Sequence, residues 1–349
     1  MSRAILSANP YEEMKLSVSL LDNPSQEVLA AAQARGGPDN SALTERGIRG
    51  MFYEQLEIGA TKIWAIAAGL MFASDSVTEK HRWLGQVPEP RKHFGGLNLT
   101  KLRDLGIDIT NDDYETSVHW SKHDWRRDKV GHLRRRIPEL ARAYLDHWNA
   151  LAVLILESNP AAFDGVALFD TAHSIGSSGL VDNALVGGTL PALGGLTDPT
   201  RPSKTEALGI LTGMASQFYE FKDDQGRPAN QAAREFMLVC PPKMMPGFAA
   251  AANDGLNAQG GSNELGSLGW KFGIVPEARL TSANQVYLIR TDDKSSPSLI
   301  LQEEDTPSVE ILAEGSEHWV KNNEAMATAK ASRAAGPGDY KKIIRGTTS

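Results

Sequence analysis

One long amphipathic segment constrains the fold of this chain more than any other feature. Between Gly131 and Ser158, apolar residues recur every three or four positions and form one stripe, whereas Arg142 and Asp146 lie off it. The Asn159-Pro160 pair ends the segment, and Pro138 is expected to kink the helix or to mark its first turn. A helix of this length would be roughly 42 Å long, which indicates a structural spine. The stripe consists of Leu133, Ile137, Leu140, Tyr144, Trp148, Leu151 and Ile155.

The composition is that of an ordinary globular protein. The 349 residues are 41% hydrophobic and 23% charged, which allows two domains or one elaborate domain. A formal net charge of −7 argues against a dedicated nucleic-acid-binding protein. The single cysteine, Cys240, excludes an intramolecular disulfide, and its place at the end of an apolar run predicts a buried thiol. Since the longest apolar run, Ile63–Ala73, is too short to cross a bilayer, we expect no membrane segment.

Two segments before the spine helix have little apolar surface of their own to bury. Residues 1 to about 40 are mixed and polar, and we expect an extended arm that needs a partner surface to become ordered. A Pro- and Gly-rich loop follows Trp83. Beyond it, Tyr114, Thr116, Val118 and Trp120 alternate with polar residues, which predicts a strand, and its expected partner is residues 102–110. An isolated hairpin is marginally stable, so we expect this one to rest on a neighbouring subunit.

The second half of the chain predicts a separate α/β unit. Residues 175–202 are rich in Gly, Ser and Pro and are expected to form a long surface loop. Ser203 is a plausible cap for an amphipathic helix. Together with the strands that follow, this helix predicts a compact unit over residues 203–291. The strand candidates are Phe236–Val239, Phe272–Val275, Gln285–Arg290 and, beyond the unit, Val309–Leu312.

The strongest charge feature is the run Lys122–Arg136. It holds seven Lys or Arg residues against two Asp residues, a net charge of +5. Cations near a helix N-terminus oppose the helix dipole, so the run indicates an external partner. We favour a contact between subunits over a contact with DNA, because the whole chain is acidic.

The sequence contains little that indicates catalysis. Asp170 and His173 could be metal ligands or an acid/base pair, but no further ligand or nucleophile stands at a suitable spacing, and a structural turn is the better interpretation. No phosphate loop, dinucleotide-binding or GxSxG pattern occurs. We therefore expect neither an enzyme nor a cofactor, catalytic or metal site. The large aromatic residues are expected to be core or interface anchors.

Several motifs taken together resemble the Mu-like major head subunit family. The resemblance covers most of the chain from about Ser41 to Arg333. It implies an α+β chain with the Hong Kong 97 coat fold of tailed-phage capsids. The motifs are Glu79–Gly85, Pro90–Gly96, Ile107–Val118, Trp125–Asp128, Phe163–His173, Asn183, Leu238–Pro242 and Trp319–Arg333.

The same resemblance implies a division of the chain. The implied parts are an N-terminal arm (1–46), an extended loop (79–123), an axial domain (203–291) and a peripheral domain (47–78, 124–202 and 292–349). It further implies a separate scaffold protein. No pattern identifies a Lys–Asn crosslink, and we predict none.

The resulting hypothesis is a structural protein of the virion, assembled in the cytoplasm of a bacterial host. Copies would form hexamers and pentamers of an icosahedral phage head around double-stranded DNA, with a scaffold or maturation protease, a portal and a decoration protein as further partners. The alternatives are an encapsulin-like nanocompartment shell and, in another class, a soluble metal-dependent hydrolase using Asp170 and His173. The predicted intersubunit contacts are Trp83, Arg91, Lys92, Phe94, Trp120, Arg126, Arg127, Arg134, Arg135 and Arg136.

Overall fold

The computed structural model describes residues 40–84, 104–123, 132–253, 265, 268–313 and 315–349. These residues form a mixed α+β structure. The helices are α1 (Asn40–Ala60), α2 (Trp64–Ala68), α3 (His132–Ser158), α4 (Lys204–Glu220), α5 (Met245–Asn253) and α6 (Glu317–Asn322). The strands are β1 (Leu70–Ala73), β2 (Thr78–Leu84), β3 (Asp104–Thr110), β4 (Asp112–Ser121), β5 (Ala184–Val186), β6 (Glu235–Cys240), β7 (Lys271–Pro276), β8 (Gln285–Arg290), β9 (Leu299–Leu312), β10 (Glu324–Pro337) and β11 (Ile343–Thr347). None of the described helices is both long and apolar enough to cross a bilayer.

The strands form two sheets and a two-stranded ribbon. The first sheet has the order β1-β9-β10-β4, in which β10 runs antiparallel to both of its neighbours and β1 runs parallel to β9. The second sheet has the order β5-β11-β8-β6-β7. The ribbon consists of β2 and β3, paired antiparallel over seven residues each. The two long strands β9 and β10 therefore form the centre of the first sheet.

Helix α3 is the predicted spine and packs against the first sheet. The stripe predicted from the sequence is buried at Ile137, Leu140, Tyr144, Trp148 and Leu151. Towards its C-terminus the helix is also buried at Ala152, Val153 and Leu156, and α1 and α2 pack on the helix as well. The helix continues through Pro138 without a break and ends at Ser158, as the sequence predicts.

The end of α3 is fixed by the residue that follows it. Asn159 has a positive φ of 50°, a conformation that Asn tolerates better than most side chains. Its side-chain oxygen accepts from the backbone N–H of Phe169 at 2.7 Å, and its Nδ2 donates to the carbonyl of Phe169 at 3.1 Å. The chain after the helix is thus tied back to the helix end.

A buried arginine joins α3 to the first sheet. Arg333 lies on β10 directly opposite Glu303 on β9, and both side chains are almost fully buried. The Arg333 Nη2 lies 3.4 Å from a Glu303 carboxylate oxygen, and Nη1 donates to the backbone carbonyl of Tyr144 at 2.9 Å. The guanidinium also lies over the Trp148 ring, 4.6 Å from its centroid. One side chain therefore contacts both layers of the core.

The sequence predicts a hairpin between residues 102–110 and the strand that contains Tyr114 and Trp120, and this pairing is wrong. Strand β3 pairs with β2, and β4 pairs over ten residues with β10 of the first sheet instead of with β3. Asn111 separates β3 from β4 and is buried. Its side chain hydrogen-bonds to Ser74, the backbone of Ser76, Glu304 and Gln302 at 2.9–3.2 Å. The two alternating segments are consecutive in sequence but belong to different sheets, and β4 therefore rests on its own chain.

The C-terminal strand differs from the expected division of the chain. Residues 343–347 fall in the range assigned to the peripheral domain, yet β11 pairs with β8 of the second sheet. Strand β5 lies in residues 175–202, which the sequence predicts as a loop, and it pairs with the edge of β11 opposite β8. Ile343 and Ile344 are fully buried there. Strands of three to five residues are too short to show a period, so the sequence pattern missed both.

The remaining predicted elements of the second unit are present. Helix α4 begins after Ser203, whose side chain and that of Glu206 form a capping box. The hydrogen bond from the backbone N–H of Thr197, together with those of Ser203, lowers the pKa of Glu206 to about 2. Strands β6, β7 and β8 match the predicted strands to within a residue or two. Cys240 is fully buried, and burial raises the pKa of its thiol to about 12, which confirms a thiol used for packing.

We expect the Arg333→Met variant to lose about 3–5 kcal/mol of unfolding free energy, because the carboxylate of Glu303 would stay buried without its counter-charge. The Arg333→Met/Glu303→Leu double variant should recover most of this loss. Urea denaturation measures both values. The matched control is Lys330→Met on the same strand, whose side chain is 53% exposed and should change stability by less than about 0.5 kcal/mol. If the double variant loses the sum of the unfolding free energies lost by the two single variants, the two side chains do not act as a buried ion pair.

We also expect a pH effect at His147, which lies on α3 against the ring of Tyr114. Burial, aided by the charge of Arg333, lowers the pKa of His147 from 6.5 to about 4. The unfolded chain binds the proton more tightly, so stability should fall as the pH drops from about 6.5 towards 4. Denaturation at pH 7 and pH 5 should show a smaller difference for His147→Gln than for the wild type. The His119→Gln variant, at an exposed position of β4, should behave like the wild type, and equal differences for all three proteins would refute the assignment.

Candidate functional site

The β2–β3 ribbon is fixed to the first sheet at its base. His81 on β2 lies 2.7 Å from the side-chain oxygen of Gln302 on β9, and both side chains are buried. Ile109 on β3 packs on Gly336 of β10, where a Cβ atom would lie 2.3 Å from the Ile109 side chain. Only glycine allows this close approach. The far end of the ribbon at Leu84 and Asp104 leads into residues 85–103, which lie outside the described part.

Trp83, a predicted contact residue, lies in an aromatic stack within its own chain. Its ring stacks on Phe163 with centroids 4.7 Å apart, and Phe163 stacks on Tyr340 at 5.2 Å. The ammonium of Lys341, which is only 3% exposed, lies 4.9 Å from the Trp83 centroid and about as close to the other two rings. A desolvated cation held by three rings is a strong local attachment. Trp83 is half-buried, so it anchors the ribbon and keeps part of its surface exposed.

The candidate acid/base pair is not a pair in the structure. His173 is fully buried and stacks on Tyr340 at 3.9 Å. Its Nδ1 lies 2.6 Å from a carboxylate oxygen of Asp164, and its Nε2 lies 3.2 Å from the carbonyl of Leu168. Asp170 instead accepts from the backbone N–H of Ala172. Both ring nitrogens of His173 are thus engaged within the core, which supports the structural turn and not a reactive site.

No group of three or more His, Cys, Asp or Glu side chains is arranged to hold a metal ion in the described ranges. Burial raises the pKa of the Tyr340 hydroxyl, and the nearby carboxylates of Asp339, Asp164 and Asp224 act in the same direction. Tyr340 therefore stays protonated and contributes packing surface.

The sequence analysis did not assign a role to Asn183, which joins residues 168–170 to residues 340–343. This residue is fully buried, and its Nδ2 donates to the carbonyls of Leu168, Tyr340 and Ile343 at 2.8–3.3 Å. Its Oδ1 accepts from the backbone N–H of Asp170 at 2.9 Å. An amide can satisfy several backbone groups at once, which suits a crossing of three segments. A lone Asn in a polar loop gives no sequence signal for such a role.

The structure describes few of the predicted basic contacts. Arg91, Lys92, Phe94, Arg126 and Arg127 lie outside the described residues. Arg134 and Arg135 belong to the first turn of α3, and their side chains also lie outside the description. Arg136 is exposed and pairs with Glu139 at 2.8 Å. An exposed pair of this kind contributes little to stability, so Arg136 remains available for an external contact.

Trp120, the remaining predicted contact, lies on the edge strand β4. It is half-buried and faces Ala325 of β10 in the register. Val118 and Tyr114, two and six positions before it, share its side of the strand and also pack against the core. These three side chains form a partly exposed apolar row on β4, the outermost described strand on this side of the first sheet.

Comparison with known proteins identifies relatives of the central part of the chain. Residues 42–202 match the sequence model of the Mu-like prophage major head subunit gpT family. The Mu-like prophage FluMu major head subunit of Haemophilus influenzae is 30% identical over 107 residues. That alignment covers 30% of this chain and 35% of the relative, so it spans only about a third of the relative's length.

Solved structures extend the similarity in fold to most of the chain. The procapsid of bacteriophage JBD30 matches with a TM-score of 0.50 at 17% identity, over 90% of this chain and 76% of that chain. The capsid of cyanophage P-SCSP1u matches with a TM-score of 0.51 at 10% identity, over 80% of this chain and 86% of that chain. The resemblance seen in the sequence is confirmed: over residues 42–202 this chain matches the Mu-like prophage major head subunit family, and it has the Hong Kong 97 type coat fold of tailed-phage capsids.

Proposed function

We propose that this chain is the major capsid protein of a Mu-like phage head. Copies would assemble into hexamers and pentamers of an icosahedral shell that encloses double-stranded DNA. The observation that carries the proposal is the family match over residues 42–202, which includes the β2–β3 ribbon, strand β4 and helix α3. The fold shared with two capsid proteins supports it.

The division of the chain into arm, loop, peripheral domain and axial domain is part of the proposal. The first sheet with α3 would form the peripheral domain, and the second sheet with α4 and α5 would form the axial domain. The ribbon would carry residues 85–103 onto a neighbouring subunit. In this arrangement the contact surfaces, and not a catalytic pocket, perform the function.

The proposed location and partners follow from the proposed function. The protein would be assembled in the bacterial cytoplasm and would reside in the virion. Its partners would be other copies of itself, a scaffold or maturation protease, the portal, a decoration protein and nonspecifically bound DNA. The rival of the same fold is a nanocompartment shell, which purified particles would reveal by containing a cargo protein and no DNA.

We expect the Arg126→Glu/Arg127→Glu variant to fold but to form shells with at least about tenfold lower yield, because like charges would meet at the subunit contact. The charge-conserving Arg126→Lys/Arg127→Lys variant is the matched control and should assemble. The scaffold is supplied to all samples. Negative-stain electron microscopy with light scattering measures the yield of shells, and circular dichroism checks that each variant is folded. Normal shells from the Glu variant would refute the charge assignment.

We further expect Trp83→Ala to loosen the ribbon while the two sheets stay folded. Loss of the stack with Phe163 and of the cation contact with Lys341 should raise amide exchange in β2 and β3 about tenfold or more. Exchange in β8 should not change. In the Trp83→Phe variant, which keeps a stacking ring, the exchange rate of β2 and β3 should lie between those of the wild type and of Trp83→Ala. If β8 exchanges faster by the same factor in the Ala variant, the residue supports the whole core instead of the ribbon.

A further inference from the structure

The first sheet has one face covered by α3 and one face that is largely polar. On the covered face, Ala327 and Ala329 of β10 are fully buried, and the carbonyl of Ala329 accepts a hydrogen bond from the hydroxyl of Tyr144. Side chains alternate along a strand, so Thr328 and Lys330 point to the opposite face. The residues that pair with them on β4 and β9 share that face.

Negative charge predominates on this second face. The register places Glu115 of β4 beside Lys330, and the Lys330 ammonium lies 3.5 Å from a carboxylate oxygen of Glu310 on β9. Asp113 and Asp305 make no ion pair with any residue of the described ranges. Four carboxylates and one ammonium give a net charge of −3. We define the acidic face by its exposed charged residues, which are Asp113, Glu115, Asp305, Glu310 and Lys330.

The most basic segment of the same chain is complementary to the acidic face. The run Lys122–Arg136 has a net charge of +5, and five of its seven cations are arginines. A guanidinium can bind a carboxylate through two parallel hydrogen bonds, which makes arginine better suited than lysine to such a contact. Both ends of the run contact their own copy: the Lys122 ammonium lies 5.2 Å from the centroid of the Trp319 ring, and Arg136 pairs with Glu139.

The run of the same copy is too short to follow the acidic face along its length. Asp113 precedes Ser121 by eight residues, roughly 27 Å along β4. The Tyr144 hydroxyl donates to the carbonyl of Tyr114 at 3.1 Å, and α3 begins at His132, roughly 18 Å before Tyr144 along the helix. A backbone path from Ser121 past Asp113 to His132 would need roughly 45 Å, whereas that stretch of chain extends over at most about 37 Å. A second copy is therefore the better source of the basic partner.

We infer that the run Lys122–Arg136 of one copy docks on the acidic face of a second copy. The inference deepens the proposed function and rests on it, since the shell supplies the second copy. Arg126 and Arg127 would lie against Asp113 and Glu115. Each copy would then offer one run and accept one, and a head-to-tail contact of this kind generates a ring when its rotation closes.

Crosslinking between copies tests the docking directly. Shells are assembled, with the scaffold, from equal amounts of isotope-labelled and unlabelled wild-type chains. They are then treated with a carbodiimide, which joins a lysine to a carboxylate in direct contact. Mass spectrometry should find Lys129 joined to Asp113, Glu115 or Asp305, with labelled and unlabelled peptides combined in the proportion of random mixing. The Arg126→Lys and Arg127→Lys variants add two further positions from which a crosslink can form.

The control for this measurement is the pair of Lys271 and Glu235, which lie 2.9 Å apart within one copy. Its crosslinked peptides should never combine the two labels. Unmixed labels in the crosslinks of the run would overturn the choice of a second copy. In intact shells, no crosslink from any of the three positions to the acidic face would overturn the docking and leave the proposed function standing. Absence of shells from the wild-type chain supplied with its scaffold would instead count against the proposed function.

Charge exchange gives a second measurement that needs no crosslink. The Asp113→Lys/Glu115→Lys variant should lower shell yield about tenfold, because like charges would meet, as in the Arg126→Glu/Arg127→Glu variant. The chain that carries all four substitutions restores opposite charges and should recover at least about half of the wild-type yield. Circular dichroism checks that each variant is folded.

The matched control for charge exchange is Glu220→Lys/Glu235→Lys, two exposed positions of the second unit. Added to Arg126→Glu/Arg127→Glu, it changes the net charge by the same amount but should not restore shells. Equal recovery by both pairs of lysines, or no recovery by either, would contradict the docking. If the acidic-face variant forms normal shells and the arginine variant forms shells without DNA, the run contacts DNA instead and the docking is overturned.

Discussion

The buried charge of Arg333 is the constraint on which the arrangement of the first sheet and the spine helix depends. A guanidinium cannot lose its proton, so it must find a counter-charge and hydrogen-bond acceptors wherever it is buried. Glu303 on the adjacent strand, the carbonyl of Tyr144 and the face of Trp148 meet this need together. Sliding the helix by one turn would remove two of the three contacts. The register of helix on sheet is thereby specified by one side chain.

The second sheet is joined to the first through the last part of the chain. After β10 the chain passes through Tyr340 and Lys341, which are buried among the rings of Trp83, Phe163 and His173. It then enters β11, while the side chain of Asn183 holds the carbonyls of Tyr340 and Ile343. The far end of the ribbon, the end of the first sheet and the start of β11 therefore share one cluster.

Sequence patterns predicted the elements whose period is long and visible. The stripe from Ile137 to Leu151, the cap at Ser203 and the apolar strands β6 and β8 are local signals and were confirmed. The pairing of β4 was not predictable, because alternation shows which face a residue occupies but not which strand lies beside it. The Arg333–Glu303 pair joins residues 30 positions apart in separate strands. The sequence predicts Trp83 as a contact between subunits, which stays a prediction. Its partners within the chain, Phe163 and Lys341, are distant in sequence and give no pattern.

The position of Asn111 gives the ribbon the properties of a lever. The ribbon extends roughly 20 Å from this residue to its far end at the spacing of an antiparallel strand. A tilt of about 5° at the base would displace that end by about 2 Å, more than half the length of a hydrogen bond. The buried amide of Asn111, held by four hydrogen bonds to two separate segments, residues 74–76 and strand β9, resists such a tilt. The direction in which the ribbon leaves the first sheet is thus held at two places, by Asn111 at its base and by the stack of Trp83 on Phe163 near its far end.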